Sequence, residues 1–496
     1  MTAARAIRLL TGAALLAGLG ACAAVGPNFK APAAPKASGY AMAGDETAAR
    51  AALGERLAGD WWSLFGSPEL DSTVRAALAG APSLKAAQAA LVQAQEAVGA
   101  RDPALTGGVD AGYARDRMNL TSFGFSQFPL PGGQTLTLSN PTFNLYSFGA
   151  NGRYDLDLFG GKRRERERLL AEAEAQGFRT ETAYLTLTAQ VVGQAVDIAA
   201  LRAEIAAAEE IVRSDQETLE LQARSFELGG GTRLDVETVK TEMAADEGAL
   251  PPLRRQLAAA RHALAALVGQ APADWTPPDF DLDRLSPPAE IPVALPSGLV
   301  RARPDIRAAE ARLHAATAHI GEAQADLYPK LSLTGSIAQG ALKPADLFGY
   351  GATGFSIGPQ LSLPLLERGQ LLAKRRMADA GARGALADYQ QTVLSAFVQV
   401  ADALEALAQD EQAVALAEEA NRSAGESLRL QRLRHEDGKA GLLPVLDSQR
   451  SWARARMTLI RAKAQRLKDA AALLYATGSP WTGEPAPSSA PPLTPG

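Results

Sequence analysis

The chain has 496 residues, 47% of them apolar and 21% charged, with a formal charge of −5 at neutral pH. That balance excludes disorder as the main state, and the lack of any long basic run excludes a nucleic-acid footprint. The single cysteine, Cys22, forbids an internal disulfide, and His262, His314, His319 and His435 fall at no metal-ligand spacing, so no catalytic constellation, metal or cofactor is expected.

Arg5 and Arg8 precede an apolar run over residues 9–19 that is too short to span a bilayer and reads as an export signal over residues 1–21. It ends Leu19-Gly20-Ala21-Cys22, which resembles a bacterial lipobox; the other reading is an ordinary signal with an incidental cysteine. The lipobox implies that Cys22 carries lipid, and Ala23 in place of an aspartate implies sorting to the outer membrane. Residues 22–69, with Pro27, Pro32 and Pro35, then form a lipidated tether, within which Trp61 and Trp62 act either as packing residues or as interfacial anchors. No later run of eighteen apolar residues occurs, so only strands could cross a bilayer.

The next elements come in two similar sets. Ala81-Pro82-Ser83-Leu84 opens an Ala-rich helix that stops before Pro103, as Arg303-Pro304-Asp305-Ile306 opens one that stops before Pro329. A weak strand follows around Val109, Ala111 and Tyr113, then a polar connection over residues 116–140. Phe148, Ala150, Gly152, Tyr154, Leu156 and Leu158 then alternate with polar or small neighbours. In the second set Leu331, Leu333 and Ile337, a connection over 338–350, and Phe355, Ile357, Leu361 and Leu363 repeat the order. Each set continues into a proline-free stretch, 162–228 or 370–437, that predicts a helix of about 100 Å at 1.5 Å per residue. The charged starts, such as Lys162-Arg163-Arg164-Glu165, read as solvated helix faces. Residues 218–236 align without gaps on 427–445, with Leu219, Leu221, Gln222, Glu227, Gly229 and Val236 identical in both. This pattern predicts repeats over 70–270 and 301–478, a linker over 271–300 and a Pro-rich tail over 479–496.

Alternation of this kind suits either a strand between lipid and water or a half-buried sheet in a soluble domain. In lipid, four strands cannot close a barrel and an open edge would leave peptide groups unpaired, so the barrel would be shared between copies. Two copies would give eight strands and a bore filled by side chains, whereas three give twelve and a bore wide enough to conduct, the expected arrangement.

These features together resemble the TolC-like outer-membrane efflux factors, in particular the lipoprotein branch that includes OprM and the NodT-type proteins. The resemblance is carried by Cys22-Ala23-Ala24-Val25-Gly26-Pro27-Asn28-Phe29, Trp61-Trp62-Ser63-Leu64-Phe65, Tyr154-Asp155-Leu156-Asp157-Leu158-Phe159-Gly160, Arg303-Pro304-Asp305-Ile306-Arg307-Ala308-Ala309-Glu310 and Val445-Leu446-Asp447-Ser448-Gln449-Arg450. It implies a mainly α fold with a transmembrane β-barrel: a long antiparallel helical barrel, and four strands per protomer contributing to a twelve-stranded barrel in a homotrimer. It further implies a passive exit duct, lipid-anchored in the outer membrane and extending into the periplasm, working with a periplasmic adaptor and an inner-membrane transporter of the RND type. A non-conducting scaffold and a type I secretion duct are the competing readings. By the same resemblance the helical tips form a gate at Asp235, Asp447 and His435, with Arg233, Arg434 or Lys439 as substitutes for missing family partners. For Asp235 and Asp447 helix capping is an equally good account, and for His435 a partly exposed polar neighbour is the plainer one.

Overall fold

The structure is a computed structural model that describes residues 24–33, 39–40, 51–53, 59–100, 105–119, 127–129, 135–137, 140–287, 291–293 and 296–478. Cys22, the export signal and the Pro-rich tail lie outside the described residues.

Helix α1 (Pro68–Gly80) starts where the Ser67 side chain accepts from Leu70 N at 3.2 Å and Pro68 occupies the first turn. It buries Leu70, Thr73, Val74 and Ala77 at the spacing of one helix face. Helix α2 (Pro82–Ala100) leads to strands β1 (Leu105–Arg117) and β2 (Thr142–Leu156). Then come α3 (Gly161–Glu227), α4 (Arg233–Val268), α5 (Pro296–Ala302) and α6 (Pro304–Ala325). The second set of strands is β3 (Lys330–Ala341) and β4 (Thr353–Ser362), followed by α7 (Arg368–Glu436) and α8 (Leu442–Thr477). The two long helices thus begin and end within two residues of the proline-free stretches. Strand β3 runs on through Ala338–Ala341, into the connection expected over 338–350, because pairing with β2 carries the ladder that far: Tyr146 still faces Ala341. Helix α4 continues through Pro251 and Pro252, so these prolines do not end it.

Two compact units make up the chain. The first takes in the described parts of residues 1–30, 95–171 and 313–384, including a four-stranded antiparallel sheet of order β1-β2-β3-β4. The second takes in 31–94, 172–312 and 385–496 and holds the main apolar core. There Trp61, Trp62, Phe65, Leu70 and Val74 pack with Val191, Val192, Ile198, Leu264, Leu299, Ile306, Leu473 and Leu474. Each large side chain in such a core contributes about 1.5–3 kcal/mol through burial. Trp61 and Trp62 belong to this core, which overturns the interfacial-anchor alternative: Trp62 donates from Nε1 to Asp71 Oδ1 at 3.0 Å. Among the described residues no helix is long and apolar enough to cross a membrane.

Candidate functional site

Register explains what the sheet presents. Directly paired residues share a face, and the pairs Leu105–Tyr154, Val109–Ala150, Tyr154–Leu333, Ala150–Ile337, Ile337–Phe355 and Leu331–Leu361 put the large aliphatic residues of the four strands on one side, Leu145, opposite Ala114, being the exception. The other side carries Asn151, Arg153, Asp155, Ser332, Thr334, Ser336, Ser356 and Gln360. It is tied by polar contacts: Arg153 to Asp155 at 2.7 Å, and the Ser336 and Ser356 hydroxyls at 2.9 Å. Among the described residues the apolar side is largely uncovered, for Phe355 is 80% exposed and Ile357 74%, though Phe348 packs on Phe148. Strands β1 and β4 each have one neighbour in the sheet, leaving two outer edges.

Both helical tips, in the second unit, turn in the same way. Gly229 and Gly438 adopt left-handed φ of 77° and 71°, where a side chain would be strained. In the first tip the amides of Gly230 and Gly231 donate to Ser225 O; in the second those of Lys439 and Ala440 donate to Arg434 O. Beside the turns, Val239 of α4 packs on Leu442 and Leu446 of α8, with Leu219 of α3 against them.

The residues singled out in the sequence part company here. Asp235 closes a capping box: its Oδ2 accepts from Thr232 N at 3.0 Å and Thr232 Oγ1 at 2.6 Å, while Thr232 Oγ1 accepts from Asp235 N at 3.2 Å. Those bonds, the Thr232 hydroxyl foremost, hold its carboxyl below the usual range, and nearby His435 adds to the effect. Capping does not account for Asp447, which lies beyond the first turn of α8 and is exposed, its carboxylate meeting Arg450 Nη1 at 3.5 Å. The half-buried ring of His435 bonds through Nδ1 with Ala440 O at 3.0 Å, within its own turn. Lys439 pairs with Asp437 at 2.8 Å, not with Asp235 or Asp447. Arg233 and Arg434 are exposed.

Two features escaped the sequence reading. Arg450 joins α8 to α4, donating from Nε to Glu242 Oε2 at 2.9 Å as well as reaching Asp447. Asp215 of α3 is 1% exposed; its Oδ1 accepts from Gln449 Nε2 at 2.6 Å. Burial first, then the Asp246 carboxyl beside it, push Asp215 up to about 7. Further along, α3 and α8 run antiparallel with polar pairs seven residues apart, Asp197 with Lys468 at 3.0 Å and Glu204 with Arg461 at 2.9 Å, as helices packed in heptads require.

Comparison with known proteins agrees with this geometry. The family model described as outer membrane efflux protein matches residues 73–270 and 295–479. The pyoverdine export outer membrane protein OpmQ of Pseudomonas aeruginosa is 30% identical over 86% of this chain and 88% of its own length. Outer membrane protein OprJ of the same species is 30% identical over 93% of this chain and 94% of its own. Among solved structures, the outer-membrane channel OprN superposes with a TM-score of 0.79 at 26% identity over 92% of this chain and 99% of that one. The open state of the Neisseria gonorrhoeae MtrE channel gives 0.77 at 25% identity, over 92% and 99%. Since the family model matches well over half of its residues and relatives at this identity extend along nearly its whole length, the chain belongs to the outer membrane efflux protein family, whose members are channels of the outer membrane.

Proposed function

We propose that three copies of this chain close their sheets into one twelve-stranded barrel, with the long helices lining a periplasmic duct that passes cargo delivered by an RND-type transporter and its adaptor. The observation that carries this reading is the four-stranded sheet with one largely uncovered apolar face and two outer edges. In lipid neither edge can stay unpaired, and pairing β4 of one copy with β1 of the next is the closed solution. Residues 70–270 and 301–478 are then duplicated halves, each supplying two strands and a helical hairpin, and Cys22 supplies a lipid anchor. The duct forms no covalent bonds; energy comes from the transporter.

At the periplasmic end, Asp447 is the better candidate for a charged ring, because Asp235 spends its carboxylate on a cap. Three carboxylates around a narrow axis attract cations and repel anions. Recording single channels in planar bilayers tests both halves. Wild type is expected to conduct as a trimer with cation preference, Asp447→Asn to lose much of that preference, and Asp235→Asn, whose amide oxygen can still accept from Thr232, to keep it. A detergent-solubilised chain that is monomeric and non-conducting would overturn the duct, and unchanged selectivity in Asp447→Asn would overturn the ring.

A further inference from the structure

In the first unit, residues 24–29 form a strap seated on the start of α3 and on α6. Val25 N donates to Phe159 O at 3.0 Å. Arg164, 4% exposed, uses all three guanidinium nitrogens: Nε donates to Val25 O at 3.1 Å, Nη2 to Gly26 O at 3.3 Å and Asn28 Oδ1 at 2.7 Å, and Nη1 to Glu167 Oε2 at 2.7 Å. Glu167 Oε1 in turn meets His314 Nε2 at 2.9 Å, and the His314 ring stacks on Phe29 with centroids 4.5 Å apart. Burial works to raise Glu167, but the bonds from Arg164 and His314 outweigh it and keep the carboxyl below its ordinary range.

The seat is also shaped for close passage. A Cβ on Gly26, at φ 94°, would fall 2.4 Å from Gly321 Cα; one on Gly321 would fall 2.8 Å from both Arg164 Cγ and Val25 O. A Cβ on Gly160 would fall 2.5 Å from Ala24. Glycines thus clear the path while an arginine grips the backbone. None of residues 24–28 joins an apolar core cluster, so a buried charge is committed here to fixing a position more than to gaining apolar burial.

Cys22 stands two residues before Ala24, a reach of no more than about 7 Å of chain. Phe159, which receives the strap, stands just beyond the end of β2 at Leu156. We propose that Arg164 is a positioning residue that fixes a lipid-bearing N-terminus to the end of β2, so that the acyl chains enter the membrane surface beside the strands they help to insert. This rests on the reading of Cys22 as the lipid-bearing residue.

The experiment is a double-mutant cycle on the full chain, made in cells fed labelled palmitate and read out as the yield of membrane-inserted, SDS-resistant trimer. The four forms are wild type, Arg164→Met, Cys22→Ser carried by an ordinary export signal, and the combination. Wild type and Arg164→Met are both expected to take up label, with trimer yield falling roughly tenfold in Arg164→Met, the order lost when charge-assisted bonds to partly buried backbone are removed. In the Cys22→Ser background, where no lipid remains to be positioned, Arg164→Met is expected to cost nothing further. A Gly321→Ala chain, which wedges the strap away from the other side, is expected to behave as Arg164→Met does. Equal losses from Arg164→Met with and without Cys22 would assign Arg164 to fold stability alone and overturn the proposal. Absence of label in wild type would instead overturn the reading of Cys22.

Discussion

Asp215 concentrates the chemistry of single residues in this chain, because it is a carboxyl removed from water with one amide donor and a second carboxyl for company. Its ordinary value is 3.8 and its value in the fold is about 7, so between these the folded chain holds a proton that the unfolded chain has lost. Stability contributed at this site is therefore greatest below about pH 4 and falls as pH rises through 7, by a few kcal/mol at most. Asp215→Asn keeps an oxygen for Gln449, offers an N–H towards Asp246 and cannot ionise. Unfolding temperatures of the trimer between pH 5 and 8 should fall with pH in wild type and hold nearly level in the variant, with the variant the more stable at pH 8. The same slope in both would assign the proton to another group. Nothing in the sequence announced this residue, since Gln449 and Asp246 reach it only through packing of α8 and α4 on α3. Arg164 was hidden differently: it stands in a run of charges whose pattern fits a solvated face, and its neighbours Lys162 and Arg163 do pair at the surface, with Asp155 and Asp157. The strap from 138 residues upstream, together with Gly321 of α6, encloses it.

At the scale of elements, much more was legible. Long helices follow from the absence of proline and the abundance of alanine, and their ends from glycines that accept a left-handed turn. Strands follow from period-two alternation, and β1, the weakest pattern, forms because β2 offers it a thirteen-residue ladder from Leu105–Tyr154 to Arg117–Thr142. Helix partnership could not be read, because it depends on which polar residues meet across α3 and α8. One such meeting has a measurable weight. Glu204 is buried and accepts two bonds from Arg461, at 2.9 and 3.2 Å. Arg461→Met would leave that carboxylate unpaired. Arg461 is largely exposed, so the cost should be about 1–2 kcal/mol, below the 3–5 of a fully buried pair. Lys463→Met, which breaks an exposed contact with Asp283, should cost less than about 0.5 kcal/mol. Thermal unfolding of the two variants side by side checks the order, and equal shifts would deny α3 and α8 this specific link.

For the whole molecule, the decisive property is that neighbouring residues of one strand lie on opposite faces of the sheet, one polar and one apolar. Ser336 and Ile337 are adjacent in β3; Ser336 faces Ser356 on the polar side, and Ile337 lies in the apolar row between Ala150 and Phe355. In a lipid-facing barrel an arginine near mid-depth costs about 2–4 kcal/mol per chain, and a lumen-facing one alters selectivity without that penalty. In the proposed three-chain ring the difference is multiplied, since every copy would have to insert for the ring to close. Ile337→Arg should therefore abolish recovery of inserted trimer from outer-membrane fractions, while Ser336→Arg should assemble and shift conductance toward anions. A soluble half-buried sheet makes a different demand: there both variants would leave the chain extractable without detergent. Should Ile337→Arg insert and conduct as well as Ser336→Arg, the apolar face would not be the one that meets lipid, and the twelve-stranded closure would lose its basis.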